Sequence, residues 1–142
     1  MKGYLIDASS FISLVKKTDL KIAEEFLQAS AILDLTFYEV GNAIWKEICL
    51  TKFLTKSESE AMRSVAQIVL ARAEILSNEI RSFQKILEIS EKEKLSFYDS
   101  SYLFSAKDKE LTLVTEDKRL SEKAKNYVQV KTLATLLSSQ NL

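Results

Sequence analysis

The apolar run Tyr4-Leu5-Ile6 stops at Asp7, and apolar positions return at Phe11, Ile12, Leu14 and Val15 with helical spacing. A short run rich in β-formers and closed by polar residues predicts a buried, central strand of a parallel sheet. Ser9 or Ser10 then caps the helix that follows. On this reading Asp7 ends a strand, at the edge where open α/β sheets hold their ligands. A plain helix-capping role suits Asp7 equally well.

The alternation continues along the chain. Asp19 opens a second helix with Leu20, Ala23, Phe26 and Leu27 on one side. Ala31–Leu35 predicts a second strand, with Asp34 at its end. After Thr36 comes a helix with the apolar stripe Phe37, Val40, Ile44 and Ile48, and Glu39 lies beside that stripe in the first turn. Met62, Val65, Val69, Ala73 and Leu76 predict one long amphipathic helix over Ser57–Leu76, and Ile80, Phe83 and Leu87 another. The mixed charges of Glu91-Lys92-Glu93-Lys94 mark a solvated stretch. Leu95–Asp99 leads into a helix with Tyr102, Leu103 and Ala106 inward. Leu111–Thr115 is the clearest strand; it ends at Glu116 and Asp117 and gives way to a helix at Lys118. Val128–Val130 predicts a last strand before a helix around Leu133, Leu136 and Leu137. Strands alternating with helices define an α/β protein with a mainly parallel sheet.

Composition narrows the class. With 142 residues, no proline and only Gly3 and Gly41, one domain over residues 1–142 is expected, with no flexible linker. No apolar run approaches the ~20 residues of a membrane span, and Asp7 and Ser9 interrupt the only signal-like stretch, which points to a cytoplasmic protein without membrane contact. Histidine is absent, which removes His-based triads, two-histidine ribonuclease chemistry and His-ligated zinc. The single cysteine, Cys49, makes neither an internal disulfide nor a metal cage. Two glycines are too few for a phosphate-binding P-loop or a dinucleotide fingerprint. Twenty basic and twenty acidic residues cancel, so any nucleic acid is gripped by a local patch or transiently. Carboxylates remain as the natural catalytic groups.

Asp7 and Asp117 both follow strands and open helices, so a parallel sheet puts them at one edge. Glu39 and Asp99, near helix starts, can reach the same edge. Four carboxylates ~5 Å apart would repel by about 3 kcal/mol per pair at an effective dielectric of about 20. Such a cluster holds protons or recruits a cation, and Mg²⁺ is the expected guest. Bland roles suit the other polar residues: Asp19 and Glu58 start helices, Asp108 is in a Lys-rich surface run, and Glu116 points away from Asp117. Trp45 and Tyr102 are expected in the core.

These residues carry a resemblance. Leu5-Ile6-Asp7-Ala8-Ser9, Tyr38-Glu39-Val40-Gly41-Asn42, Tyr98-Asp99-Ser100-Ser101-Tyr102 and Leu113-Val114-Thr115-Glu116-Asp117 are similar, in order and spacing, to the motifs of the PIN domain family. The likeness is to its VapC-type toxin ribonucleases in particular. It implies a PIN-like three-layer α/β/α fold with a five-strand sheet. It also implies that Asp7, Glu39, Asp99 and Asp117 are catalytic and bind Mg²⁺ or Mn²⁺, while Ser9, Asn42 and Thr115 orient ligands behind them. The implied activity is an endoribonuclease toxin, cutting RNA with a cation-activated water to leave 5′-phosphate and 3′-hydroxyl ends. The implied partners are a small antitoxin and a second copy of the chain, paired through the first helices or the helix at Ser57–Leu76. Arg119 stands where many relatives carry an acid or amide, a departure that bears on a second metal ion. Two alternatives belong to other classes: a PIN-like module that only binds RNA or protein, and a receiver-like phospho-accepting domain. The latter normally pairs two acids after its first strand, where this chain has Asp7 followed by Ala8.

Overall fold

The structure is a computed structural model and describes residues 3–140. Its strands are β1 (Tyr4–Ile6), β2 (Ser30–Leu33), β3 (Glu74–Leu76), β4 (Thr112–Val114) and β5 (Val130–Lys131). The helices are α1 (Ala8–Lys17), α2 (Leu20–Gln28), α3 (Asp34–Cys49), α4 (Lys56–Arg72), α5 (Phe83–Glu93), α6 (Phe97–Asp108), α7 (Lys118–Ala124) and α8 (Leu133–Gln140). The strands form one sheet in the order β3-β2-β1-β4-β5, parallel throughout. The receiver-like alternative expects the doubly wound order 2-1-3-4-5, so this topology removes it.

Strand alternation sorts the core into two layers. Ile6, Ile32 and Val114 point to one side, against Phe11, Leu14, Phe26, Val40, Ile44, Val69 and Leu136. Leu5, Ala31, Leu33 and Leu113 point to the other, against Leu95, Tyr102, Leu103, Ala106 and Leu120. Both sheet faces are covered, so the three-layer α/β/α expectation stands. From central β1 the chain winds outward to β2 and β3, then jumps back to β4 and β5 on the opposite side. The order therefore reverses between β1 and β4, and the crevice at their carboxyl ends is where this architecture places ligands.

Several boundaries differ from the sequence reading. Asp7, not Ser9 or Ser10, caps α1: its Oδ1 accepts the Ser10 N–H at 2.9 Å, and both serines lie in the helix. Asp19 caps α2 as expected, through Ile22 N–H at 2.9 Å. Asp34 does not end a strand. Thr36 Oγ1 accepts the Leu33 N–H at 3.2 Å, which starts α3 at Asp34 and moves Glu39 from the first turn to the second. The helix expected over Ser57–Leu76 ends at Arg72, and Glu74–Leu76 becomes edge strand β3, with Ile75 opposite Ile32. The last strand starts two residues later than expected and ends one later, because Tyr127 and Val128 turn back onto the Ala124 carbonyl. Phe37 and Trp45, expected inward, are 60% and 47% exposed, whereas Tyr102 is buried as expected. Among the described residues no helix is long and apolar enough to cross a membrane.

The two-layer core predicts a sharp contrast. Leu103→Ala, at a fully buried position, should cost about 2–5 kcal/mol of unfolding free energy. Phe53→Ala, at a position 79% exposed, should change it by no more than about 0.5 kcal/mol. Urea melts followed by circular dichroism check both, and equal losses would contradict the core assignment.

A carboxylate cleft as candidate active site

Asp7 sits at the reversal point. The pairing of Ile6 with Val114 places it beside Thr115, and it is only 4% exposed. Burial raises its pKa above the ordinary carboxylate value, against hydrogen bonds from Thr115, the Ser10 backbone and Ser9 that lower it. Ser9 Oγ donates to Asp7 Oδ1 at 2.7 Å and accepts the Glu116 N–H at 3.0 Å. Thr115 Oγ1 donates to Asp7 Oδ2 at 2.5 Å and accepts the Asp117 N–H at 3.0 Å. Each hydroxyl has one proton, and both are committed to Asp7, so the 3.5 Å approach between Ser9 and Thr115 carries no bond. Two relays thus run from the backbone after β4 to the carboxylate after β1. Asp7 is both a cap and the hub of the cleft.

The other three acids gather around it. Asp117 caps α7 through Leu120 N–H at 3.0 Å, and the Glu116 carboxylate turns away to the Leu133 N–H at 2.7 Å, as expected. Asp99 lies in the first turn of α6, where Ser96 Oγ accepts its N–H at 3.1 Å. Burial raises the pKa of Asp99, and the charges of Asp117 and Asp7 raise it further; a Ser96 hydrogen bond and the Arg119 guanidinium pull the other way. Burial also raises Glu39, with Asp99 and Asp7 adding repulsion and a Tyr102 hydrogen bond opposing them. All four expected acids therefore share one electrostatic neighbourhood. Arg119 donates to the Lys94 carbonyl, which holds a fixed cation near Asp99.

Tyr102, expected only as core packing, takes part as well: its hydroxyl donates to Glu39 Oε1 at 2.8 Å and meets Thr36 Oγ1 at 2.6 Å. The signal in the sequence was its position three residues after Asp99, on the same helix face. Asn42 is placed differently from Ser9 and Thr115. It is exposed and lines a groove of about 930 Å³ between α3 and α4, with Phe37, Tyr38, Trp45 and Arg63.

Among the described residues no three Asp, Glu or Cys side chains stand as a ready-made metal cage. Mg²⁺ does not require one, since it binds through one or two carboxylates and keeps several waters. Asp7 Oδ1 accepts two hydrogen bonds and Oδ2 one, which leaves acceptor capacity on Oδ2. Tyr102 takes one oxygen of Glu39 and Leu120 N–H one of Asp117, so each keeps a second oxygen for a ligand. Hard oxygen donors that repel one another in a partly buried cleft fit such an ion.

A parallel α/β sheet with one buried carboxylate, Asp7, and three less buried ones gathered at its reversal point defines the class. The comparisons narrow it: the PIN domain family matches residues 4–126, and the chain belongs to that family. It is 34% identical over 137 residues to Exonuclease VapC9 of Pyrobaculum aerophilum, covering 96% of this chain and 97% of that protein. The crystal structure of PAE2754 from the same organism superposes with a TM-score of 0.80 at 31% identity, covering 97% of this chain and 96% of that one. FitAB bound to an IR36 DNA fragment shares the fold at 18% identity and a TM-score of 0.63, over 91% of this chain and 94% of that one. VapBC2 of Rickettsia felis, bound to a promoter DNA fragment, does so at 17% and 0.58, over 91% and 97%.

The raised acids have a consequence for stability. Asp7, Glu39 and Asp99 hold protons to higher pH in the folded state than in the unfolded chain. Their contribution to stability therefore falls as pH rises from the ordinary carboxylate range through the raised values, and returns on acidification until the unfolded carboxyls also protonate near pH ~4. In EDTA the thermal midpoint should be higher near pH 5 than at pH 7, and Asp99→Asn should shrink that difference. Asp99→Asn suits this test better than Asp7→Asn, whose amide nitrogen cannot accept from Ser9 or Thr115. Midpoints that climb from pH 5 to pH 7 in both proteins would contradict the crowded cleft.

Proposed function

We propose that this protein is a divalent-metal-dependent endoribonuclease, acting through Asp7, Glu39, Asp99 and Asp117. The observation that carries the reading is the burial of Asp7 at the reversal point, held by three hydrogen bonds with one acceptor site left on Oδ2, while its charge raises the pKa values of the neighbouring Glu39 and Asp99. When bound, Mg²⁺ or Mn²⁺ supplies charge neutralisation at the phosphate and lowers the pKa of water. The chain does the rest. Ser9, Ser10 N–H and Thr115 hold the Asp7 carboxylate in one orientation. Asp117, on the cap of α7, adds a second fixed carboxylate. Glu39 and Asp99 would add two further oxygen donors, and one of the four carboxylates would also take the proton of the attacking water. With no histidine in the chain, the two-histidine acid–base pair that drives attack by the RNA 2′-hydroxyl is not available.

The name of the Pyrobaculum relative, an exonuclease, supports a nuclease and favours a second reading, attack from a nucleic-acid end. The partner reading is a toxin held silent by a small antitoxin, in a cytoplasmic setting, with the chain itself a homodimer. The exposed aromatic groove between α3 and α4 offers apolar surface for a protein partner. A clean 16.1 kDa species at micromolar concentration in sedimentation would contradict the dimer. A PIN-like module that only binds RNA or protein is the reading that inactivity with intact binding would support.

Purified protein should cleave RNA in Mg²⁺ or Mn²⁺, stop in EDTA, and leave 5′-phosphate and 3′-hydroxyl ends. Asp7→Asn should lower the rate by at least ~10²-fold, the scale of losing one well-placed catalytic group. Circular RNA separates the two modes, because an enzyme that needs an end leaves it intact. Cyclic-phosphate products, or full activity in EDTA, would refute the metal reading.

A further inference from the structure

Tyr102 is the largest fully buried side chain among the described residues. Phenylalanine would fill the same space, so the hydroxyl needs its own explanation. A buried phenol must find a partner, and the partner it finds is one of the cleft acids. Thr36 and Glu39 are three residues apart on α3, Asp99 and Tyr102 three apart on α6, so each pair shares a helix face. Thr36 meets Tyr102 at 2.6 Å, and Tyr102 donates to Glu39 Oε1 at 2.8 Å.

The proton order follows by elimination. The Leu33 N–H donates to Thr36 Oγ1, and the Tyr102 proton is committed to Glu39. Thr36 therefore gives its own proton to the Tyr102 oxygen. A one-way chain of hydrogen bonds runs from the backbone of β2, through two hydroxyls, to the carboxylate. It also crosses the molecule. The Tyr102 ring packs with Leu5, Leu33 and Leu113 in one layer, while Val40 and Ile44 of α3 pack in the other. The hydroxyl ties the two layers together at the carboxyl edge of the sheet.

We propose that Tyr102 is a positioning residue for Glu39: by holding Oε1 it keeps Oε2 free for the divalent cation in the cleft. The role rests on the metal-dependent nuclease reading above. Ser9 and Thr115 fix Asp7 from the β1–β4 side, and Tyr102 fixes Glu39 from the α3–α6 side. Carboxylates that ligate metals are commonly oriented by such a donor behind them, whose loss weakens metal binding by about 10–100-fold.

The test is Mn²⁺ titration calorimetry on Tyr102→Phe, which keeps the ring and deletes the hydroxyl. Affinity should fall about 10-fold or more, while the KM for RNA at saturating Mn²⁺ stays at the wild-type value. In a Glu39→Gln background the same substitution should add no further loss, whereas a purely structural loosening would add one. On the wild-type protein, the ¹³Cζ resonance of Tyr102 should shift as Mg²⁺ saturates the site, a readout that survives if the variant does not fold. Wild-type protein that binds no Mn²⁺ overturns the metal reading and this role with it. Tight wild-type binding with an unchanged Tyr102→Phe, or with an unmoved Tyr102 resonance, overturns the role of Tyr102 alone.

Discussion

A carboxylate buried where the strand order reverses must be met by donors, and the cleft is built around that requirement. Asp7 loses water at the end of β1, and an unpaired buried carboxylate is strongly disfavoured. Its donors come from two places: the first turn of α1 and the segment after β4. Ser9 and Thr115 do more than supply protons. Each also accepts a backbone N–H from Glu116 or Asp117, so the segment that carries the fourth acid is tied to the first. The position of Asp117 is thereby coupled to that of Asp7, and both relays depend on β1 and β4 being neighbours.

The same constraint explains why the acids are left crowded. Burial raises the pKa values of Asp7, Glu39 and Asp99, the charges of neighbouring acids raise Glu39 and Asp99 further, and among the described neighbours only Arg119 brings a cation that offsets Asp99. The chain is neutral overall, with charges otherwise spread over its surface. A local excess of negative charge held in place by hydroxyls is a stability cost, of the kind functional sites carry.

Much of this was legible in the sequence because burial and periodicity were strong. The run Tyr4-Leu5-Ile6, the strand at Leu111–Thr115 and the inward face Tyr102, Leu103 and Ala106 are short-range patterns that packing reinforces. Edge strand β3 was not legible: Glu74 and Ile75 are exposed, and its apolar positions extend the helical spacing of α4. Only pairing with β2 makes it a strand. The start of α3 was misplaced because the Leu33–Thr36 hydrogen bond that sets it is a local capping contact, which leaves no mark in the apolar periodicity. The four acids were legible as a set from their strand-end and helix-start positions, but their hydrogen-bond partners were not equally so. Ser9 and Thr115 lie within two residues of an acid in sequence. Tyr102 reaches Glu39 from 63 residues away: its spacing from Asp99 places it on the cleft face of α6, but no local pattern names Glu39 as its partner. Trp45 has helical spacing compatible with the core, yet it faces the open groove.

The central claim is that the cleft between β1 and β4 is a divalent-cation site. Anomalous diffraction from crystals soaked in millimolar Mn²⁺ tests it most directly. The account predicts a peak about 2.0–2.2 Å, the usual length for such an ion, from a carboxylate oxygen of Asp7 or Asp117, lost in the Asp7→Asn, Asp99→Asn double variant. No peak in the cleft, or an undiminished peak in the double variant, would contradict it.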